Sequence, residues 1–117
     1  MRYLIPFAVF AMPATAADLT VYTYDSFIAD WGPGPAIETA FEEQCACDIE
    51  FVAAGDGAAL LGRLRLEGAR TKADVVLGLD TNLMADAVAE DIVQPHGVTD
   101  VSLDLPIEWD DTTFLPY

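Results

Sequence analysis

Three β-type segments, each followed by a stretch of helical period, limit how this chain can fold. Leu19–Tyr24 alternates apolar and polar residues and is rich in β-branched and aromatic side chains. Asp48–Ala53 alternates again, and Ala73–Leu79 is an apolar run of the kind found in strands covered on both faces. Pro35–Cys45 sets Ile37, Ala40, Phe41 and Cys45 at helical spacing. Asp56–Gly68 puts Leu60, Leu61 and Leu64 on one face with Gly68 as the stop. Asn82–Ala89 reads as a third helix, with Ile92–Val93 as a short strand beyond it. Such alternation predicts an α/β fold, a mainly parallel sheet flanked by helices and joined by right-handed crossovers.

In a parallel sheet, ligands sit outside the carboxyl ends of the strands. That rule selects the loops Tyr24–Trp31, Ala54–Gly57 and Gly78–Asn82, and all three carry polar residues. The first combines Tyr24, Asp25, Ser26, Asp30 and Trp31 and leaves through Gly-Pro-Gly-Pro. Aromatic faces beside carboxylates suit a flat cation, since a ring face attracts a cation by about 2 kcal/mol once water is excluded. The alternative is a loop whose rings merely cover the core. In the second loop Asp56 can cap a helix, and Gly55 and Gly57 let a ligand approach the backbone. The Asp56 carboxylate would compete for the free N–H groups there, so an amine fits this turn better than a bare phosphate. An ordinary capped turn gives the same pattern. Asp80 or Thr81 can likewise cap the third helix, or Asp80 and Asn82 can face the cleft.

Met1–Ala17 reads as a secretory signal peptide: a basic start, an apolar stretch too short to span a bilayer, and Ala14-Thr15-Ala16 as a small-x-small cleavage pattern. The rest, Asp18–Tyr117, is then an exported domain with no segment for membrane insertion. With 20 acidic and 5 basic residues the chain carries a formal charge of −15. That balance repels nucleic acid and anionic membrane and draws cationic ligands at long range. Its apolar fraction of 53% argues for a folded core over an acidic disordered tail. The basic residues of the exported part, Arg63, Arg65, Arg70 and Lys72, read as a solvated helix face with Arg63 and Glu67 paired at i,i+4.

In an exported chain Cys45 and Cys47 are expected to pair. In an extended segment residues i and i+2 point the same way, with Cα atoms near the upper limit for a disulfide. The link is then a local, somewhat strained staple. No metal set, phosphate-binding loop or nucleophile elbow is recognisable, and no cofactor or enzymatic role is expected. Phe114 and Leu115 suggest another strand beginning, and the final Leu-Pro-Tyr looks cut off.

Val-Tyr-Thr-Tyr-Asp-Ser-Phe at 21–27, Ala-Asp-Trp-Gly-Pro-Gly-Pro at 29–35 and Ala-Asp-Val-Val-Leu-Gly-Leu-Asp at 73–80 closely resemble the bacterial periplasmic thiamine-binding proteins. The Cys-x-Cys, the Asp-Gly at 56–57, Arg-Leu-Arg at 63–65 and Trp-Asp-Asp-Thr-Thr-Phe at 109–114 agree. The resemblance spans essentially all of Asp18–Tyr117. It implies one lobe of a two-lobed, type 2-like periplasmic binding protein, incomplete here, with the second lobe absent. It implies a monomeric receptor for thiamine, thiamine phosphate or thiamine diphosphate that delivers its ligand to an inner-membrane ABC permease. Asp56 and Gly57 become ligand contacts, Tyr24 and Trp31 candidate ring contacts, and Asp25 a supporting neighbour. Other readings are a receptor of the same fold for another solute such as ferric iron, a non-functional truncated fragment, and a secreted hydrolase using Asp110 or Asp111.

Overall fold

The computed structural model of the protein describes residues 16–117. The expected leader therefore lies, but for its last two residues, outside the described residues. The elements are β1 (Leu19–Thr23), α1 (Asp25–Ile28), α2 (Gly34–Cys45), β2 (Ile49–Ala53), α3 (Gly57–Glu67), a 3-10 turn (Gly68–Arg70), β3 (Val75–Val76) and α4 (Thr81–Ala89). The sheet is parallel with order β2-β1-β3, as the alternation requires. Its register runs from Leu19 opposite Ile49 to Thr23 opposite Ala53, with Val21 and Tyr22 opposite Val75 and Val76.

β1 is the middle strand, and its Val21, Tyr22 and Thr23 are all buried. Alternation sends these side chains to opposite faces of the sheet. Tyr22 joins Leu60 and Leu64 of α3, with Val52, Ala54, Ala73, Val76, Leu79 and Ile92 packed around them. On the other face Phe27 of α1 is 2% exposed and meets the Phe51 ring at 5.5 Å. Helices thus cover both faces.

Carboxylates fasten the entry ends of the strands. Asp48 N–H donates to Asp18 Oδ2 at 2.9 Å, Thr20 N–H to Asp74 Oδ2 at 2.9 Å, and Ile49 N–H to Glu42 Oε1 at 3.0 Å. Desolvation first, then the neighbouring Glu42, Asp18 and Glu50, raises the pKa of Asp48.

Several expectations are corrected. The segment Tyr24–Trp31 is not all loop, because one turn of helix at Asp25–Ile28 is what carries Phe27 into the core. The Ala73–Leu79 run forms only the two-residue β3, and Val75 is 43% exposed rather than covered on both faces. Among the described residues β3 pairs with β1 alone, and Gly78 at φ +112 turns the chain away just beyond it. Ile92–Val93 is not a strand; Ile92 instead packs at the border of the α3 cluster. No strand forms at Phe114–Leu115, where the Asp111 carboxylate accepts from Thr113 N–H at 2.7 Å and Phe114 N–H at 2.8 Å and closes a turn. These two bonds lower the Asp111 pKa.

The disulfide between Cys45 and Cys47 is present, but the segment is not extended. Ala46 ends α2 in the left-handed region, at φ 52, with its N–H on the Glu42 carbonyl. That bend sets the two Cα atoms 5.2 Å apart, inside the ordinary range for a disulfide.

Leu60 is 0% exposed at the centre of the α3 face, whereas Leu66 on the same helix is 83% exposed. Leu60→Ala is expected to cost about 3 kcal/mol in urea unfolding, and Leu66→Ala about 0.5 kcal/mol or less. Similar costs for the two variants would show that this face is not the core.

Candidate functional site

The loops that follow β1, β2 and β3 meet at the carboxyl edge of the sheet, and hydrogen bonds lock the first two together. Asp25 N–H donates to the Gly55 carbonyl at 2.8 Å, while Gly55 N–H donates to Asp25 Oδ1 at 2.9 Å. Gly55 takes φ +87, a conformation that glycine adopts without steric cost. Asp25 is therefore a fastening between loops, with one carboxylate oxygen already engaged.

Asp56 caps α3 through Oδ1, which accepts from Ala59 N–H at 2.8 Å, while its backbone carbonyl accepts from Leu60 N–H at 2.9 Å. The residue is exposed, and Oδ2 has no protein partner among the described residues. The Leu60 bond starts the intrahelical ladder and the carboxylate satisfies Ala59 N–H, leaving the N–H groups of Gly57 and Ala58 at the helix end. Gly57 is needed for close approach: a Cβ there would lie 2.9 Å from the Gly78 carbonyl oxygen. At this place the carboxylate oxygen can accept from an amine while the two free N–H groups donate to an oxygen.

Tyr24 stands at the N-terminus of α1, half-buried, with its ring edge-on to Phe27 at 5.7 Å. The ring rests on Gly78, where a Cβ would fall 2.3 Å from Tyr24 Cδ1. The Tyr117 hydroxyl donates to the Tyr24 hydroxyl at 3.3 Å. In the third loop Asp80 caps α4, accepting from Asn82 N–H at 2.8 Å and Leu83 N–H at 3.2 Å.

Of the expected ligand residues, the structure brings together Tyr24, Asp25, Asp56 and Gly57. Trp31 is 79% exposed on the bend after α1 and pairs with no other aromatic ring among the described residues. Gly78, which the sequence placed only as the start of the third loop, and Tyr117, which it did not single out, belong to the assembly. A glycine closing an apolar run was the available signal for Gly78; for Tyr117, many residues from its partner, there was none.

Two of the basic residues are engaged by carboxylates. Arg63 pairs with Glu67 at 2.8 Å and lies 4.4 Å over the Tyr22 ring, and Arg65 pairs with Glu90 and Asp86 across to α4. The bond to Glu67 raises the Arg63 pKa, and the same bond lowers that of Glu67. A cavity of about 540 Å³ lies elsewhere, between α2 and β2, lined by Gly34, Glu38, Asp48 and Phe51 among others, and includes none of the expected ligand residues. Among the described residues no three His, Cys, Asp or Glu side chains converge on a metal-sized site, and no helix is long and apolar enough to cross a membrane.

No family model matches the chain. It is 48% identical over 120 residues to the thiamine-binding periplasmic protein of Brucella abortus, covering 97% of this chain and 36% of that protein. The protein of the same name from Salmonella typhimurium is 50% identical over 117 residues, 99% of this chain and 36% of its own length. That of Escherichia coli is 50% identical over 109 residues, 93% and 32% respectively. A solved structure described as a periplasmic thiamin binding protein superposes with a TM-score of 0.78 at 48% identity, covering 97% of this chain and 34% of that one. The chain thus spans about a third of the length of the curated relatives it matches.

The Tyr24–Gly78 packing is directly testable. Gly78→Ala is expected to cost about 2 kcal/mol, from the positive φ and the clash with the ring, and to alter the near-ultraviolet circular dichroism of the tyrosines. Gly62, with open space around its Cβ position in α3, is the control: Gly62→Ala should stabilise by about 0.5 kcal/mol or more. Equal melting temperatures for the two variants would deny that Tyr24 rests on Gly78.

Proposed function

This chain is homologous to the periplasmic thiamine-binding proteins over 97% of its own length, and on that premise we propose that it acts as one lobe of a periplasmic thiamine receptor. It captures thiamine or its phosphates at the carboxyl edge of the sheet and passes the ligand to an inner-membrane ABC permease, with no chemistry performed on it. Met1–Ala17 directs export and is removed.

The observation that carries this reading is the arrangement at the start of α3. Asp56 Oδ2 has no protein partner among the described residues, and it stands beside the first-turn N–H groups of Gly57 and Ala58 and one loop away from the half-buried Tyr24 ring. Thiamine offers a matching set: an exocyclic amine for a carboxylate, a flat cationic ring for an aromatic face, and a hydroxyl or phosphate oxygen for N–H donors. Tyr24 supplies the ring contact, with Trp31 as a second aromatic surface from the adjacent bend. Asp25 holds the Tyr24 and Asp56 loops at a fixed separation through Gly55. The surplus of acid over base on the whole chain adds a long-range attraction for a cation.

Asp56 has two roles, and they separate experimentally. Asparagine caps a helix about as well as aspartate, so Asp56→Asn should leave the melting temperature within a degree or two while removing the charge. Loss of a charge-assisted hydrogen bond, worth roughly 1.5–3 kcal/mol, should weaken thiamine binding about 10- to 100-fold by isothermal titration. Trp31→Ala should weaken it by a smaller factor, since exposed cation–π contacts contribute about 0.5–1 kcal/mol. Affinity unchanged in both variants would remove these residues from the site.

A further inference from the structure

We propose that Tyr117 is a positioning residue of the thiamine site, holding the Tyr24 ring in the orientation a ligand ring stacks on. This inference rests on the receptor reading above. Tyr24 is fixed at three places: Gly78 beneath one face, the Phe27 edge at 5.7 Å, and the Tyr117 hydroxyl at 3.3 Å. Among the described residues the Tyr117 hydroxyl is the one hydrogen-bond partner at the outer end of the ring, and it comes from a residue 93 positions along the chain.

Each phenol can both donate and accept, so the Tyr24 hydroxyl engaged by Tyr117 keeps hydrogen-bonding capacity for an outward partner. Removal of the Tyr117 hydroxyl from water, and second its bond to Tyr24, push its pKa up to about 12, although the ring it hangs from is 78% exposed. Because the folded value is raised, the contact is fully present below the ordinary tyrosine value near 10. It is lost as pH rises through about 12. The exposure of Tyr117 means that its replacement leaves the core untouched.

The test is a double-mutant cycle in the full chain, with Tyr117→Phe, Tyr24→Phe and both together, each titrated with thiamine. Tyr117→Phe keeps the ring and removes the hydroxyl. It is expected to weaken binding about three- to tenfold, the scale of one hydrogen bond, with an unchanged melting temperature. In the Tyr24→Phe background the same substitution should have no further effect, because the group it acts through is gone. Wild-type affinity in Tyr117→Phe, or equal losses in both backgrounds, overturns the inference while the receptor reading stands. A wild-type chain that takes no thiamine removes the receptor reading and this inference with it. A ligand-free readout judges the contact itself: tyrosinate absorbance should show one tyrosine ionising well above pH 10 in the wild type and lower in Tyr24→Phe. An unchanged high-pH profile in that variant overturns the contact.

Discussion

The hydrogen-bond ladder between β1 and β2 does not stop where the strands stop, and the geometry of the carboxyl edge depends on this continuation. Ala54 N–H reaches the Thr23 carbonyl at 2.9 Å, and Asp25 and Gly55 then exchange a reciprocal pair. Two loops that would otherwise move independently become an extension of the sheet. Asp56 and Gly57 follow immediately on one side, and Tyr24 immediately precedes on the other. Their separation is inherited from the strand spacing, about 4.8 Å between neighbouring strands, and not from loop flexibility. A site built this way is held largely by backbone bonds, and two of its side chains share the structural work: Asp25 is one half of the lock, and Asp56 Oδ1 caps α3.

The same economy appears in how the chain uses its acidic residues. A formal charge of −15 suggests a field that attracts cations. Yet Asp18, Glu42 and Asp74 fasten strand entries, Asp25 locks two loops, Asp56 and Asp80 cap helices, and Asp111 closes a turn. Each accepts from a backbone N–H that would otherwise be unpaired. Others neutralise the cations: Glu67 takes Arg63, and Glu90 and Asp86 take Arg65. The long-range field is thus produced largely by groups whose local task is structural. An acidic composition read only as a partner preference misses that second use.

Elements whose signals are local were legible in the sequence. Asp56 before a Leu60-Leu61-Leu64 face and a closing Gly68 gave α3 with its cap, and parallel pairing followed from the alternation of strands and helices. The carboxyl-edge rule then selected the three loops that do converge. Elements decided by a neighbour were not legible. α1 carries Phe27 to a place beside Phe51, and Gly78, two residues beyond β3, turns at a positive φ where the Tyr24 ring leaves no room for a side chain. The Cys45–Cys47 link is unstrained in its Cα spacing because Ala46 adopts a left-handed conformation that no residue preference announces. Tyr117 joins Tyr24 through a contact that no window along the chain could contain.

The carboxyl edge presents its aromatic groups in an open arrangement, and this bears on how tightly one lobe can hold a ligand. Tyr24 is half-buried, and Trp31 is 79% exposed. A cation over a ring open to water gains about 0.5–1 kcal/mol, against about 2 kcal/mol or more when water is excluded. Asp56 is exposed as well, so its attraction for an amine is screened by solvent. On the proposed reading, these groups therefore supply orientation and selectivity, and only a fraction of the affinity they are capable of. The remainder requires a second surface to displace water from the outer faces of the rings. The curated relatives, of which this chain spans about a third, have the length to provide one. A rigid half-site of this kind favours such closure, because Tyr24 and Asp56 lose little freedom when the ligand is covered.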